Sequence, residues 1–151
     1  MEDNNAFDKF ELQLTETAKG FLKETAKWAY FLSIIGYIGL GMLVLFAFFA
    51  ASLFASVGGS MGVMGALGTT FITVLYLIIA LIYFFPIYYL NKFASNMKAA
   101  LKSDNTESLT TSLGYLKSHY KFIAVLTIVG IVAYLLMFAF MFVLGMGASG
   151  M

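Results

Sequence analysis

Few side chains in this sequence could carry out chemistry, and their spacing decides what each can do. The lone histidine, His119, stands between Lys117 and Lys121 with no carboxylate at helical spacing. An imidazole acting as base or metal ligand needs a second group to orient the ring and set its tautomer, so no catalytic or metal role is expected of it. Methionines 61, 64, 137, 141, 146 and 151 are thioether donors that can hold Cu(I). With no cysteine or second histidine beside them they read as flexible apolar filler. The absence of cysteine also removes disulfides, thiolate nucleophiles and cysteine metal centres. Hydroxyls at Ser33, Tyr37, Thr73, Tyr76, Tyr83, Thr127 and Tyr134 could line a polar path in an oligomer. In so apolar a chain they more often bond to neighbouring helices or to their own carbonyls. No catalytic residue, cofactor or metal is therefore expected, and the chain does not read as an enzyme.

The lysines point to a membrane surface instead. The chain is 61% hydrophobic and only 11% charged, against about 25% charged in an ordinary soluble domain. From Trp28 through Asn91 there is no Asp, Glu, Lys, Arg or His, a run about three times the ~20 residues that one membrane-spanning helix needs. A further uncharged run goes from Phe122 to Leu144. The pattern predicts an all-α, polytopic membrane protein forming a single domain over 1–151, with spans at 28–54, 69–90 and 122–144. A glycine-rich outer loop is expected at 55–68, where Gly58, Gly59, Gly62, Gly65 and Gly68 each weaken a helix by roughly 1 kcal/mol. An outer tail is expected at 145–151.

Four lysines precede the first span, five lie between the second and third, and none lies in the glycine-rich loop or the tail. By the positive-inside rule the N-terminus is cytoplasmic and the C-terminus outside. Trp28, Tyr30, Tyr88, Tyr89, Tyr115 and Tyr120 fall at the inner ends of the three spans. The opening "MEDNN" lacks the basic start and apolar core of a cleavable leader, so the first span is expected to remain.

Two charged segments must then be placed. Residues 5–27 predict an amphipathic cytoplasmic helix, capped by Asn5 with Asp8 in its first turn. Phe7, Phe10, Leu14, Phe21 and Trp28 share one arc of it and the lysines the other. Lys19, Lys23 and Lys27, with Trp28, are candidates to lie on the bilayer, each lysine gaining about 1 kcal/mol from anionic lipid. Residues 91–121 predict a cytoplasmic helical hairpin prolonging spans 2 and 3. Phe93, Met97 and Leu101, then Leu109, Leu113, Leu116 and Tyr120, repeat at helical spacing around "SDNTE", where Asp104 and Glu107 suggest a capping box. Its apolar seam and the N-terminal stripe are expected to bury each other in a three-helix bundle. Small residues at Gly36, Gly39, Gly41, Ala47, Ala51 and Ala55, with Ala29, Ser33 and Gly59 beside them, offer close helix contact. Pro86, inside span 2, frees the carbonyl of Ile82 and marks either a fixed bend or a hinge.

The stretches "ETAKWAYFLSIIG", "FPIYYLNKFASNMKAAL" and "SDNTESLTTSLGYLKSHYKF" resemble a family of small bacterial membrane proteins known as a domain of unknown function. The resemblance implies three-span topology and a bacterial inner (cytoplasmic) membrane location, and it carries no activity. With no ionisable group inside any span, coupled transport is disfavoured. The expected role is a non-catalytic accessory or interaction subunit. A homo-oligomeric, holin-like pore and a membrane-surface sensor are the alternatives. The expected partners are the lipid bilayer and other membrane helices or a second copy, with no nucleic acid.

Overall fold

Backbone amides in hydrocarbon must be paired within their own segment, and here that demand governs more of the chain than the glycine pattern suggests. The computed structural model describes residues 14–58 and 62–149. It contains three long helices, α1 (Glu16–Gly58), α2 (Val63–Ser103) and α3 (Thr106–Ser149), and no strand among the described residues. Each is long and apolar enough to cross a membrane. At 41 to 44 residues each measures roughly 62–66 Å, about twice the ~30 Å hydrocarbon core. A helix of that length crossing it upright would leave about half of itself outside.

Several elements differ from the expectation. The glycine-rich stretch is mostly helical: α1 reaches Gly58 and α2 begins at Val63, so Gly65 and Gly68 lie inside α2. A glycine's helix penalty of about 1 kcal/mol is smaller than the cost of an unpaired amide away from water. Gly62, with φ 57° and ψ −131°, occupies backbone space open to glycine as it leads into α2. Likewise α3 continues through the expected tail to Ser149.

Residues 16–27 are not a separate helix but the first turns of α1. Leu14 and Thr15 precede the helix, and Thr15 Oγ1 accepts the Ala18 N–H at 3.3 Å as a cap. The expected cap at Asn5 lies outside the described residues, as do Phe7, Phe10 and Lys9.

The restart between α2 and α3 is also built differently. Asp104, at φ 45° and ψ 40°, ends α2 in the left-handed conformation that Asp tolerates, its N–H returning to the Ala100 carbonyl. Asn105 caps α3, its Oδ1 accepting the Ser108 N–H at 3.0 Å. Asp104 is thus a C-terminal residue of one helix and not the first cap of the next.

The topology is up-down-up. Helix α2 packs against α1 on one side and α3 on the other, while the α1 and α3 backbones stay apart. This antiparallel order gathers Lys19, Lys23 and Lys27 of α1, Lys92, Lys98 and Lys102 of α2, and Lys117 and Lys121 of α3 at one end.

Candidate functional site

The buried core lies at that lysine-rich end. Phe93, Ala94 and Met97 of α2 are fully buried against Ala26 and Ala29 of α1, with Leu22, Leu90, Leu101, Leu109, Tyr115 and Leu116 packed around them. The hairpin seam of Phe93, Met97, Leu101, Leu109 and Leu116 does meet α1, but among the described residues its buried contacts are not Phe21 and Trp28 of the Phe/Trp stripe. Phe21 is 67% and Trp28 58% exposed. They line an open apolar groove of about 390 Å³ between α1 and α3, floored by Leu90 and Phe93.

The face of α1 that packs is Leu22, Ala26, Ala29, Ser33, Gly36, Leu40, Leu43 and Ala47, every one buried or half-buried. The steps alternate four and three residues, so the average of 3.5 keeps the row facing one partner. Phe93 and Met97 fill the space that the alanines leave. At Gly36 the approach is close, since a Cβ there would lie 2.9 Å from Ile87 Cγ1. Gly39 and Gly41 point to open space, Ala51 is half-buried and Ala55 exposed. Of the six small residues expected at contacts, Gly36 and Ala47 lie on the seam; of the three noted beside them, Ala29 and Ser33 extend it and Gly59 lies outside the described residues.

Polar groups at the edge of the uncharged region lock α2 to both neighbours. Ser33 Oγ, fully buried, donates to the Tyr30 carbonyl at 2.7 Å and accepts Asn91 Nδ2–H at 2.9 Å. On the other side His119 Nδ1 lies 2.8 Å from the Pro86 carbonyl oxygen. A carbonyl only accepts, so Nδ1 carries the proton. Pro86 itself is buried, with Ile87 beside it against Gly36. The position expected to bend or hinge is therefore packed on both sides. The role of His119 as a strut between α2 and α3 was not foreseeable from sequence, because its acceptor is a backbone atom 33 residues away.

Of the remaining hydroxyl candidates, the two threonines are spent locally. Thr73 and Thr127 donate to the carbonyls of Thr69 and Ile123 at 2.9 Å each, while Tyr76, Tyr83 and Tyr134 are exposed and Tyr37 is half-buried beside Phe84. Met64, Met137 and Met141 are exposed. Met61 and Met151 lie outside the described residues. Among the described residues no three His, Asp or Glu side chains converge in a metal-binding arrangement.

What converges instead is positive charge. An open groove of about 720 Å³ between α1 and α2 is lined by Gly20, Lys23, Glu24, Lys27, Lys98, Leu101 and Lys102. Two of its lysines, Lys98 and Lys102, were not among the expected membrane-surface residues. They become neighbours of Lys23 and Lys27 only because α2 runs antiparallel to α1. Lys19 does not belong to the groove: its Nζ pairs with Glu16 at 3.2 Å and Asp104 at 3.4 Å, and those carboxylates, Glu16 first, hold its ammonium above the ordinary lysine range. Lys98 Nζ sits 4.0 Å from the centroid of the Tyr30 ring, a cation–π contact.

Residues 48–142, well over half of the chain, match the model of the family of unknown function DUF5362, and the chain belongs to that family. The match takes in the end of α1, all of α2 and most of α3, and leaves out the "ETAKWAYFLSIIG" stretch whose resemblance was noted in the sequence. No curated protein and no solved structure matches the chain.

Proposed function

We propose that this DUF5362 member is a non-catalytic accessory or interaction subunit of a membrane assembly, seated in a bacterial inner membrane with its lysine-rich end in the cytoplasm and its C-terminus outside. The observation that carries the reading is the division of labour along the helices. At the lysine-rich end the three helices share a buried core, whereas α3 from Val125 to Val143 turns apolar side chains outward all round its circumference. With α1 and α2 joined along a seam and α3 open along its apolar length, the chain offers lateral surface to lipid and to other helices. Close contact between helices in lipid comes from packing and small residues; the seam of α1 through Gly36 and Ala47 is used within the chain, while Gly39 and Gly41 are open. A partner would therefore meet α3 and the outer faces of α1. The same arrangement favours an accessory role over a pore, because the Ser33, Thr73 and Thr127 hydroxyls are turned to backbone carbonyls.

The test is gentle extraction of the tagged chain from its native membrane, native mass determination, and reciprocal capture through whatever co-purifies. A larger partner at fixed stoichiometry, whose own assembly is impaired when this chain is deleted, is the expected result. A homo-oligomer that releases ions from liposomes would replace the proposal with the pore.

A further inference from the structure

Four lysine side chains lining one groove are costly by themselves. Lys23 and Lys27 stand one helical turn apart on α1, Lys98 and Lys102 one turn apart on α2, and the two pairs face the same open space with Glu24 as the only lining carboxylate among the described residues. Like charges at this spacing repel, and among the described residues none of the four has a carboxylate within salt-bridge distance. An anion in the groove removes the repulsion, and lysine ammoniums are point-charge binders of phosphate.

The groove's height identifies the source of the phosphate. Lys27 immediately precedes the uncharged run that begins at Trp28, and Lys98 lies over Tyr30 inside that run. Trp28 and Phe31 stand exposed on α1 within one turn of Lys27, ring to ring at 6.0 Å. Trp and Tyr at such a boundary mark headgroup level. A phosphate held by the four lysines would therefore sit at the level where the exposed apolar side chains of α1 begin, and acyl chains belong beyond it. We propose that the groove between α1 and α2 lined by Lys23, Lys27, Lys98 and Lys102 binds the phosphate headgroup of an anionic membrane lipid. This holds whether or not the chain serves a larger assembly.

The experiment uses the full chain in a neutral detergent, with native mass spectrometry reading retention of added phosphatidylglycerol against phosphatidylcholine. Phosphatidylglycerol is expected to be retained preferentially, and less so as salt rises. Each lysine near an anionic surface is worth roughly a fivefold change in binding, so Lys23→Gln with Lys27→Gln, or Lys98→Gln with Lys102→Gln, should each weaken retention about tenfold or more. Lys117→Gln with Lys121→Gln removes the same charge elsewhere and should change it less than about twofold. Lys98→Arg with Lys102→Arg keeps the charge and should retain the lipid, which separates loss of charge from loss of fold. Equal retention of the two lipids, or equal loss in the Lys117/Lys121 control, would overturn the site. Displacement of phosphatidylglycerol by millimolar inorganic phosphate would make it a soluble-anion site and overturn the lipid assignment.

Discussion

Gly36→Ala offers the sharpest test of the α1 seam. An added Cβ meets three atoms of one side chain, Ile87 Cγ1 at 2.9 Å, Cδ1 at 3.0 Å and Cγ2 at 3.1 Å. Isoleucine in a helix has one strongly preferred χ1, and both its γ branches are involved, so no simple rotation clears the space. Either the helices separate by a few tenths of an ångström or Ile87 leaves its rotamer. Overpacking of this kind costs about 1–3 kcal/mol, against about 1 kcal/mol that alanine returns in helix propensity. The net expectation is a loss of up to about 2 kcal/mol. Gly39→Ala and Gly41→Ala meet nothing within 4 Å and should be neutral or stabilising by up to about 1 kcal/mol. The assay is reversible unfolding of the purified chain in mixed micelles by increasing sodium dodecyl sulfate, followed by helicity. In an Ile87→Ala background Gly36→Ala should become neutral or stabilising, a double-mutant cycle that assigns the cost to this contact. The seam is wrong if Gly36→Ala is no worse than the other two alanines, or if Ile87→Ala brings no relief.

The other two interhelical locks make separate predictions. Asn91→Ala should cost about 0.6 kcal/mol and not more than about 2, as hydrogen bonds between membrane helices do; in the same unfolding assay Ser33→Ala should add little once Asn91 is gone, and full additivity would deny the bond. His119→Asn places an amide nitrogen where Nδ1 stands and should keep most of the α2–α3 tie, whereas His119→Phe should lose about 1 kcal/mol. Nitrogen NMR of labelled His119 should find Nδ1 protonated, and an unprotonated Nδ1 would remove the strut.

Much of this molecule follows from composition alone. The 64-residue block without charge from Trp28 to Asn91 cannot be folded in water without exposing it, and in lipid its amides leave the chain little choice but helix. The same logic overrode local signals: Gly65 and Gly68 read as loop but sit in α2, because an apolar environment penalises an unpaired amide more than it penalises glycine in a helix. The hairpin's apolar residues were legible in part, since Phe93 and Met97 recur at helical period and are buried, whereas Leu113 and Tyr120, expected on the same seam, are exposed.

What the sequence could not decide is which face meets which. Phe21 and Trp28 form the more hydrophobic stripe of α1, yet Ala26, Ala29 and Ser33 are the residues buried, because small side chains let the α2 backbone approach and leave room for Phe93. A search at strict four-residue spacing finds Ala47, Ala51 and Ala55, but it drifts about 40° per step around a helix of 3.6 residues per turn. The seam alternates three and four, and Ala55 turns away from it. Tertiary structure alone brings His119 to the Pro86 carbonyl and sets Lys98 and Lys102 opposite Lys23 and Lys27. Helix formation is a property of neighbouring residues and is written locally. Pairing across helices depends on the register of segments dozens of residues apart, which close packing selects only when the helices meet.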